Sequence, residues 1–559
     1  MTTPLLRCAA LGWLLAACAE DPQPTRPEAE GTPWFVEEAA ARGLTFQHRS
    51  GHGNEFWMPE IMAGGAALLD LEDDGDLDVY LVQSGGLAPD TPEDARGNAL
   101  FANDGRGHFE DVSAESGARD PKYGMGAASG DADGDGDADL LVTNVGTDTL
   151  LLNQGSGKFR AASDAAGLAH AGWSTSAAFV DLDRDGALDL FIARYLEWTP
   201  SGELVCMDSL GRRDYCSPQN YKTPARDLVY RNAGDGRFLD VSRSSGVWAE
   251  AATGLGLACG DVDDDGWLDV FVANDGMANH LWRNAGDFTF ENVAMLAGCG
   301  VDSNGQTKAG MGILVVDLDD DLDLDILVCN LKGESDSFYR NDGGYFTDRT
   351  AAAALAAVSK PFTRFGVAFG DFDQDGLRDL YMANGRVERQ AESLAEDPYA
   401  EPNLLLRASE PARFAEVFPR GGTAGVEIET SRAVAQGDLD GDGALDLLVV
   451  NKDGPARLLL NRVEGRGRAL ALRVREKSGA AALGARLTLR VGERTLRRDV
   501  QSAFGYLTGH SPLVHVGLGD QQEVTSVVVR WVDGVEERFG PFAAGAAHEL
   551  RRGQGKSGE

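Results

Sequence analysis

Histidine and cysteine are scarce in this chain, eight and seven among 559 residues, and that scarcity narrows the chemistry available to it. The histidines are dispersed, and neither a His-Glu-x-x-His helix nor a Gly-x-Ser-x-Gly elbow occurs, so zinc-protease and α/β-hydrolase chemistry have no foothold. Basic residues are also short. Lys and Arg number 51 against 89 Asp and Glu, a formal charge of −38, and duplex nucleic acid would repel such a chain. Beyond the N-terminal segment no apolar run is long enough to span a bilayer. With 43% apolar residues the chain is nevertheless a folding one, and its length exceeds a single hydrophobic core, so several domains or one repeat architecture are expected.

The N-terminus reads as an export signal. Arg7 precedes a short apolar stretch from Cys8 to Leu15, and Leu15-Ala16-Ala17-Cys18 has the form of a lipobox. Residues 1–18 are therefore expected to be a lipoprotein signal peptide, Cys18 the lipidation site, and 19–33, rich in Pro and Glu, a tether. The expected location is the cell envelope, at the outer membrane or cell surface, with lipid as the only membrane attachment. The alternative is plain secretion after an ordinary signal peptide. Of the remaining cysteines, Cys206 and Cys216 flank a polar loop and are the expected disulfide, whereas Cys259, Cys299 and Cys329 lie near apolar runs. Five is an odd number, so at least one thiol stays free.

The acidic residues are clustered. The pattern D-x-[DE]-x-D-[GL]-x-x-D, followed by an apolar run, occurs seven times. Its acids are Asp70, Glu72, Asp74 and Asp78; Asp131, Asp133, Asp135 and Asp139; Asp181, Asp183, Asp185 and Asp189; and Asp261, Asp263, Asp265 and Asp269. The last three copies carry Asp317, Asp319, Asp321 and Asp325; Asp371, Asp373, Asp375 and Asp379; and Asp438, Asp440, Asp442 and Asp446. Acids at positions 1, 3, 5 and 9 of a tight loop surround one point, with a backbone carbonyl at position 7. Hard oxygen donors in that number suit Ca²⁺, up to seven ions, while the absence of His and Cys from the loops disfavours zinc and copper. An EF-hand would need Glu at position 12; here that position holds Leu81, Val142, Ile192, Val272, Val328, Met382 and Val449. Leu322 stands where the other copies have Gly, so the Asp317 site is expected to be the weakest.

Between copies runs an apolar strand, an Asn, a Gly-rich turn and an aromatic-led strand, as in Leu150 to Phe159. Each unit thus supplies about four short strands, one propeller blade. The aromatic-led strand also occurs seven times, at Phe35, Phe109, Phe159, Phe238, Phe290, Phe346 and Phe414. Its first copy precedes the first Asp loop, so the strand starting at Trp34 is expected to complete the blade begun by Asp438 and close the ring. The expected fold is all-β: a seven-bladed β-propeller over 34–461, a small β domain over 462–550, and a polar tail over 551–559.

These residues resemble the FG-GAP/VCBS-repeat propellers, which include the integrin α-subunit head. Gly211 to Pro218, Asn304 to Gly312, Gly484-Ala485-Arg486 and Val516 to Gly519 extend the resemblance to the cartilage acidic protein family with its C-terminal ASPIC/UnbV domain. The resemblance implies an extracellular or envelope calcium-binding protein, often linked to adhesion, without an established catalytic centre, with the metal positions carried by the seven Asp loops.

Two features bear on partners. Between Arg462 and Arg498 stand eleven Lys and Arg against three Glu, either a face for a polyanion or, the simpler reading, an electrostatic dock for the propeller. The long insertion from Leu196 to Arg226 sets Trp198, Tyr215 and Tyr221 beside Arg212 and Arg213, a composition shared by binding hot spots and by buried loop cores. A non-enzymatic binder of an extracellular or envelope protein or glycan is the expected function. The alternative is a propeller enzyme on envelope or extracellular glycans with calcium as a structural ion. His510 beside Ser511 is the one nucleophile pair offered, and neighbours in a loop rarely face each other.

Overall fold

The computed structural model describes residues 31–62, 64–87, 97–390 and 392–557. The lipobox with Cys18, and the tether before residue 31, lie outside the described residues. Among the described residues no helix is long and apolar enough to cross a membrane.

Each Asp loop joins the first strand of a blade to its second, and the position-9 Asp opens that second strand: Asp78–Leu81, Asp139–Thr147, Asp189–Arg194, Asp269–Asn274, Asp325–Val328, Asp379–Asn384 and Asp446–Asn451. Third and fourth strands follow as the hairpins that end in the seven aromatic-led segments. Seven four-stranded antiparallel units result, their residues apolar on both faces because each sheet packs between two others. The clusters alternate around the ring: Leu68, Phe101 and Leu458 pack between the last and first blades, for example, and Val315, Phe271 and Tyr339 between the fourth and fifth. Closure is made by Phe35–Glu37, which pairs antiparallel with Arg457–Asn461, Phe35 opposite Asn461.

One sequence signal, noted only as a turn marker, is a stitch between blades. The Asn ending the third strand donates its side-chain amide to a carbonyl of the preceding blade: Asn103 to Leu439, Asn153 to Leu71, Asn232 to Ala132, Asn284 to Leu182, Asn341 to Val262 and Asn461 to Phe372. The sixth blade has Ala408 at this position.

The basic C-terminal region folds as sheets around Leu472, Leu487, Val527 and Trp531 and lies over the Asp-loop face. Within the segment expected as a tail, Lys556–Ser557 form an edge strand paired with Glu537 and Arg538. Between its strands this domain sends the segment 501–511 down the propeller channel. Gly505 exchanges backbone hydrogen bonds with Ile313 (2.7 and 3.1 Å), the Leu507 carbonyl accepts from Ala66 and Ala127, Thr508–Gly509 pairs parallel with Ala66 and Ala67, and Tyr506 stacks edge-on against Phe365. The channel walls are small for this reason. A Cβ on Gly126 would stand 3.0 Å from the Leu507 Cα, and one on Gly256 would meet the Met311 carbonyl of the next blade at 2.1 Å as well as the Gly505 carbonyl at 3.0 Å.

The insertion caps the opposite face. Cys206–Met207 and Arg213–Asp214 form its hairpin, tied by the Cys206–Cys216 disulfide, and Cys259, Cys299 and Cys329 are free thiols.

Candidate metal centre

The loop geometry repeats because its hydrogen bonds repeat. The position-1 carboxylate accepts the N–H of the position-6 glycine, as from Gly75 to Asp70 (3.1 Å), Gly136 to Asp131 (3.0 Å) and Gly376 to Asp371 (2.8 Å). In all seven loops the position-5 Asp accepts the N–H two residues on, an Asx turn. The position-9 Asp is buried; its two oxygens accept one N–H from loop position 2 and one from the third strand, Leu71 and Asn103 in the case of Asp78. This residue therefore holds the blade as well as facing the loop.

The carboxylates converge. Ligand-competent oxygens of Asp131, Asp133 and Asp139 lie within 4.8 Å of one another, as do those of Asp181, Asp183 and Asp189, and of Asp371, Asp373 and Asp379. Several are buried without a partner: Asp133 Oδ1, Asp181 Oδ1, Asp261 Oδ1, Asp319 Oδ1, Asp440 Oδ1 and both oxygens of Asp317. Burial pushes Asp131, Asp261, Asp317 and Asp438 up to about 6 and Asp371 up to about 8, with neighbouring carboxylates adding to the rise. Converging, desolvated oxygens with no donor to satisfy them are the complement of a hard cation, so the loops can hold a metal ion.

The left-handed backbone appears twice in each loop. At position 6, φ is 95° at Gly75, 101° at Gly136 and 91° at Gly266, and Leu322 takes the same conformation at 82°. Position 4 is left-handed as well, with Asp73, Arg184, Asp264, Asp320 and Gln374 all between 55° and 61°, which the sequence pattern did not reveal. Around Leu322 arginines hold the loop carboxylates. Arg340 clamps Asp319 (2.7 Å) and Asp321 (2.6 Å), and Asp320 turns to Arg494 (2.7 Å). Burial alone would raise Asp320, but Arg378, Arg498 and Arg494 hold it below the ordinary carboxylate range. A clamp of this kind is not confined to this loop, since Arg231, Arg407 and Arg462 bridge positions 3 and 5 of their own loops.

The C-terminal arginines reach this face, so the basic run is a dock. Arg475 pairs with Asp73 (2.7 Å), Arg486 with Asp264 (2.6 Å) and Arg466 with Asp442 (2.8 Å). Others read backbone: Arg473 donates to the Gly75 carbonyl, Arg494 to Gly376 (2.9 Å), Arg497 to Leu322 (3.1 Å), and His515 lies 3.2 Å from the Gly443 carbonyl. His510 is no nucleophile's base. It is buried in the channel, stacked on Phe504, with Nδ1 accepting the Gln436 N–H and burial lowering it to about 3.

On the opposite face the tyrosines of the insertion are loop core. Tyr215 and Trp198 are buried, Tyr215 beside His52 (2.9 Å) and Glu60 (3.2 Å), and Tyr221 bonds Glu203. The exposed part is the hairpin tip, where Val205, Met207 and Leu210 are 64%, 58% and 63% exposed on a turn fixed by Asp208, which accepts from the Leu210 and Arg212 N–H groups.

The acidic loops of the propeller and the docked β domain each match a known sequence model. A model of the FG-GAP-like repeat matches residues 70–142, 131–192, 261–328 and 317–382, and the model named ASPIC and UnbV matches 475–557. The chain is similar to the cartilage acidic proteins: it is 28% identical over 294 residues to cartilage acidic protein 1 of Xenopus tropicalis and 27% identical over 304 residues to that of Homo sapiens. These matches cover 50% and 53% of this chain but only 42% and 43% of the relatives. Among solved structures, an Agrocybe aegerita lectin recognising non-reducing terminal N-acetylglucosamine aligns with a TM-score of 0.39 and 15% identity, covering 70% of this chain and 93% of the lectin. Rhamnogalacturonan lyase YesW aligns at 0.37 and 15%, covering 72% and 73%. At these scores neither likeness bears on function.

Proposed function

We propose that the chain is an exported, calcium-loaded binding module that engages an extracellular or envelope protein or glycan through the insertion face. The carrying observation is the coverage of the other surfaces: the C-terminal domain lies on the metal loops and its segment 501–511 fills the channel. A fixed apolar turn then stands exposed on the remaining face, with Arg212 at its base. Calcium is the ion that the all-oxygen, anionic loops suit, and its role is structural, since the protein donors leave little room for substrate. The lipobox at Cys18 supports attachment to the envelope by lipid, and the disulfide agrees with export.

The test is affinity capture from envelope and extracellular extracts with the mature chain as bait, beside a Met207→Asp/Leu210→Asp variant, with calcium titrated by calorimetry. Calcium uptake together with a captured species lost in the variant is expected. Equal capture by both proteins overturns the assignment of the face, and absence of uptake overturns the calcium reading.

A further inference from the structure

We propose that docking of the C-terminal domain and cation occupancy of the propeller loops are linked, through side chains of that domain that position the loops from outside. The inference rests on the calcium reading above. Its basis is where the domain's donors end. Arg473, Arg494, Arg497 and His515 come from three different strands of the domain, yet each reaches the position-6 carbonyl of a different loop, Gly75, Gly376, Leu322 and Gly443. Two backbone donors join them in the sixth blade's loop, Gly467 N–H to the Asp373 carbonyl (3.0 Å) and Gly519 N–H to the Gln374 carbonyl (3.1 Å).

The position-6 carbonyl belongs to the peptide just before position 7, whose own carbonyl is the backbone donor expected for the ion. It points toward the domain only while the loop holds its two left-handed residues, Gln374 at 57° and Gly376 at 95° in the sixth blade. A cation drawing in positions 1, 3, 5 and 9 enforces that turn, and without it the crowded carboxylates repel one another. The fixed turn is therefore the shared element: the ion holds it from inside and the domain from outside. Coupling of this kind is reciprocal, so each partner strengthens the other.

Charge and geometry predict opposite signs. Were docking driven by the arginine–carboxylate pairs, bare loops would hold the domain more tightly and calcium would loosen it. The carbonyl acceptors are neutral and face the domain only on the formed turn, so through these contacts calcium tightens docking. The channel segment 501–511 hangs from the same domain and reports its seating.

Amide exchange on the full mature chain, with calcium added or chelated, decides the matter alongside calorimetric calcium titration. Calcium is expected to slow exchange at least tenfold in residues 503–511 as well as in the loop 371–379. Arg494→Met is expected to weaken calcium protection of 371–379 several-fold, Arg494→Lys to restore most of it, and Arg490→Met, at an exposed side chain bonded only to Thr495, to change nothing. Calcium uptake with no change in 503–511 and an unaltered Arg494→Met protein overturns the linkage while leaving calcium binding standing. Faster exchange of 503–511 on adding calcium overturns it in favour of charge-driven docking. Lack of uptake by the wild-type chain removes the calcium reading itself.

Discussion

The two faces of the ring satisfy their buried polar groups by different means. On the insertion face several buried charged groups find hydrogen-bond partners within the ring and its insertion: Glu60 accepts from His52 (2.8 Å), Asp214 from Tyr399 (2.6 Å), and Arg432 spends its guanidinium on the carbonyls of Ile61, Gly385, Ser431 and Arg386. The metal-loop face leaves carboxylate oxygens buried and unpartnered and gathers arginines from another domain over them. The insertion face draws its partners from near at hand. The Asp-loop face takes donors from a docked domain and keeps oxygens that could hold a cation, so perturbations that act on charge should separate the two.

The largest effect is expected from breaking the ring on which both faces stand. Deleting Trp34 to Gly43 removes the strand paired with Arg457–Asn461 and exposes a sheet edge, so the variant should aggregate or lose its cooperative melt, while deletion of 19–33 leaves melting unchanged. Equal behaviour of the two truncations in a thermal melt would place closure elsewhere.

Next comes chelation, which touches only the metal-loop face. At free calcium of about ten times Kd each occupied site adds roughly 1.4 kcal/mol, so several sites together should shift the melting temperature by many degrees. Identical melting of metal-free and calcium-loaded protein would contradict the reading.

Acid acts on the other side and in the channel. His48 and His510 are fully buried, and each uses Nδ1 to accept a backbone N–H, from Asp453 and Gln436. Burial is the main cause that lowers His48 to about 4 and His510 to about 3. Below the ordinary value of 6.5 the unfolded chain takes up protons that the native state refuses, so their stabilisation is full above pH 6.5 and lost as pH falls toward 4 and then 3. For His48 the loss is about 3 kcal/mol, and His48→Gln should flatten that limb of the stability–pH profile measured by urea unfolding.

A smaller effect isolates one loop. Leu322 sits at φ 82°, a left-handed conformation that costs a non-glycine residue about 1–2 kcal/mol, and Leu322→Gly should recover part of this as a several-fold tighter calcium isotherm at one site. If Leu322→Gly and Asp321→Ala both leave the isotherm unaltered, that loop takes up no ion. The smallest effect on stability belongs to the hairpin tip: Leu210→Asp should change the unfolding free energy by less than about 0.5 kcal/mol, since the side chain meets water, while abolishing ligand capture.

What the sequence determined by itself is what repeats locally. Seven Asp loops, seven aromatic-led strands and the offset of the first of these were enough for the blade count and the closing strand, because each property resides in a run of fewer than about ten residues whose backbone forms the same turn wherever it occurs. The strained Leu322 was legible on the same ground, one Cβ against six glycines. Tertiary structure decided everything that depends on which repeat lies beside which. That Asn232 stitches to Ala132, that Arg494 reads Gly376, and that Gly505 pairs with Ile313 are contacts between segments 100, 118 and 192 residues apart, with no sequence periodicity to reveal them. The basic run from Arg462 to Arg498 made the same point from the other side: its charge was plain, but whether it faces solvent or the Asp loops follows only from how a second domain sits on the ring.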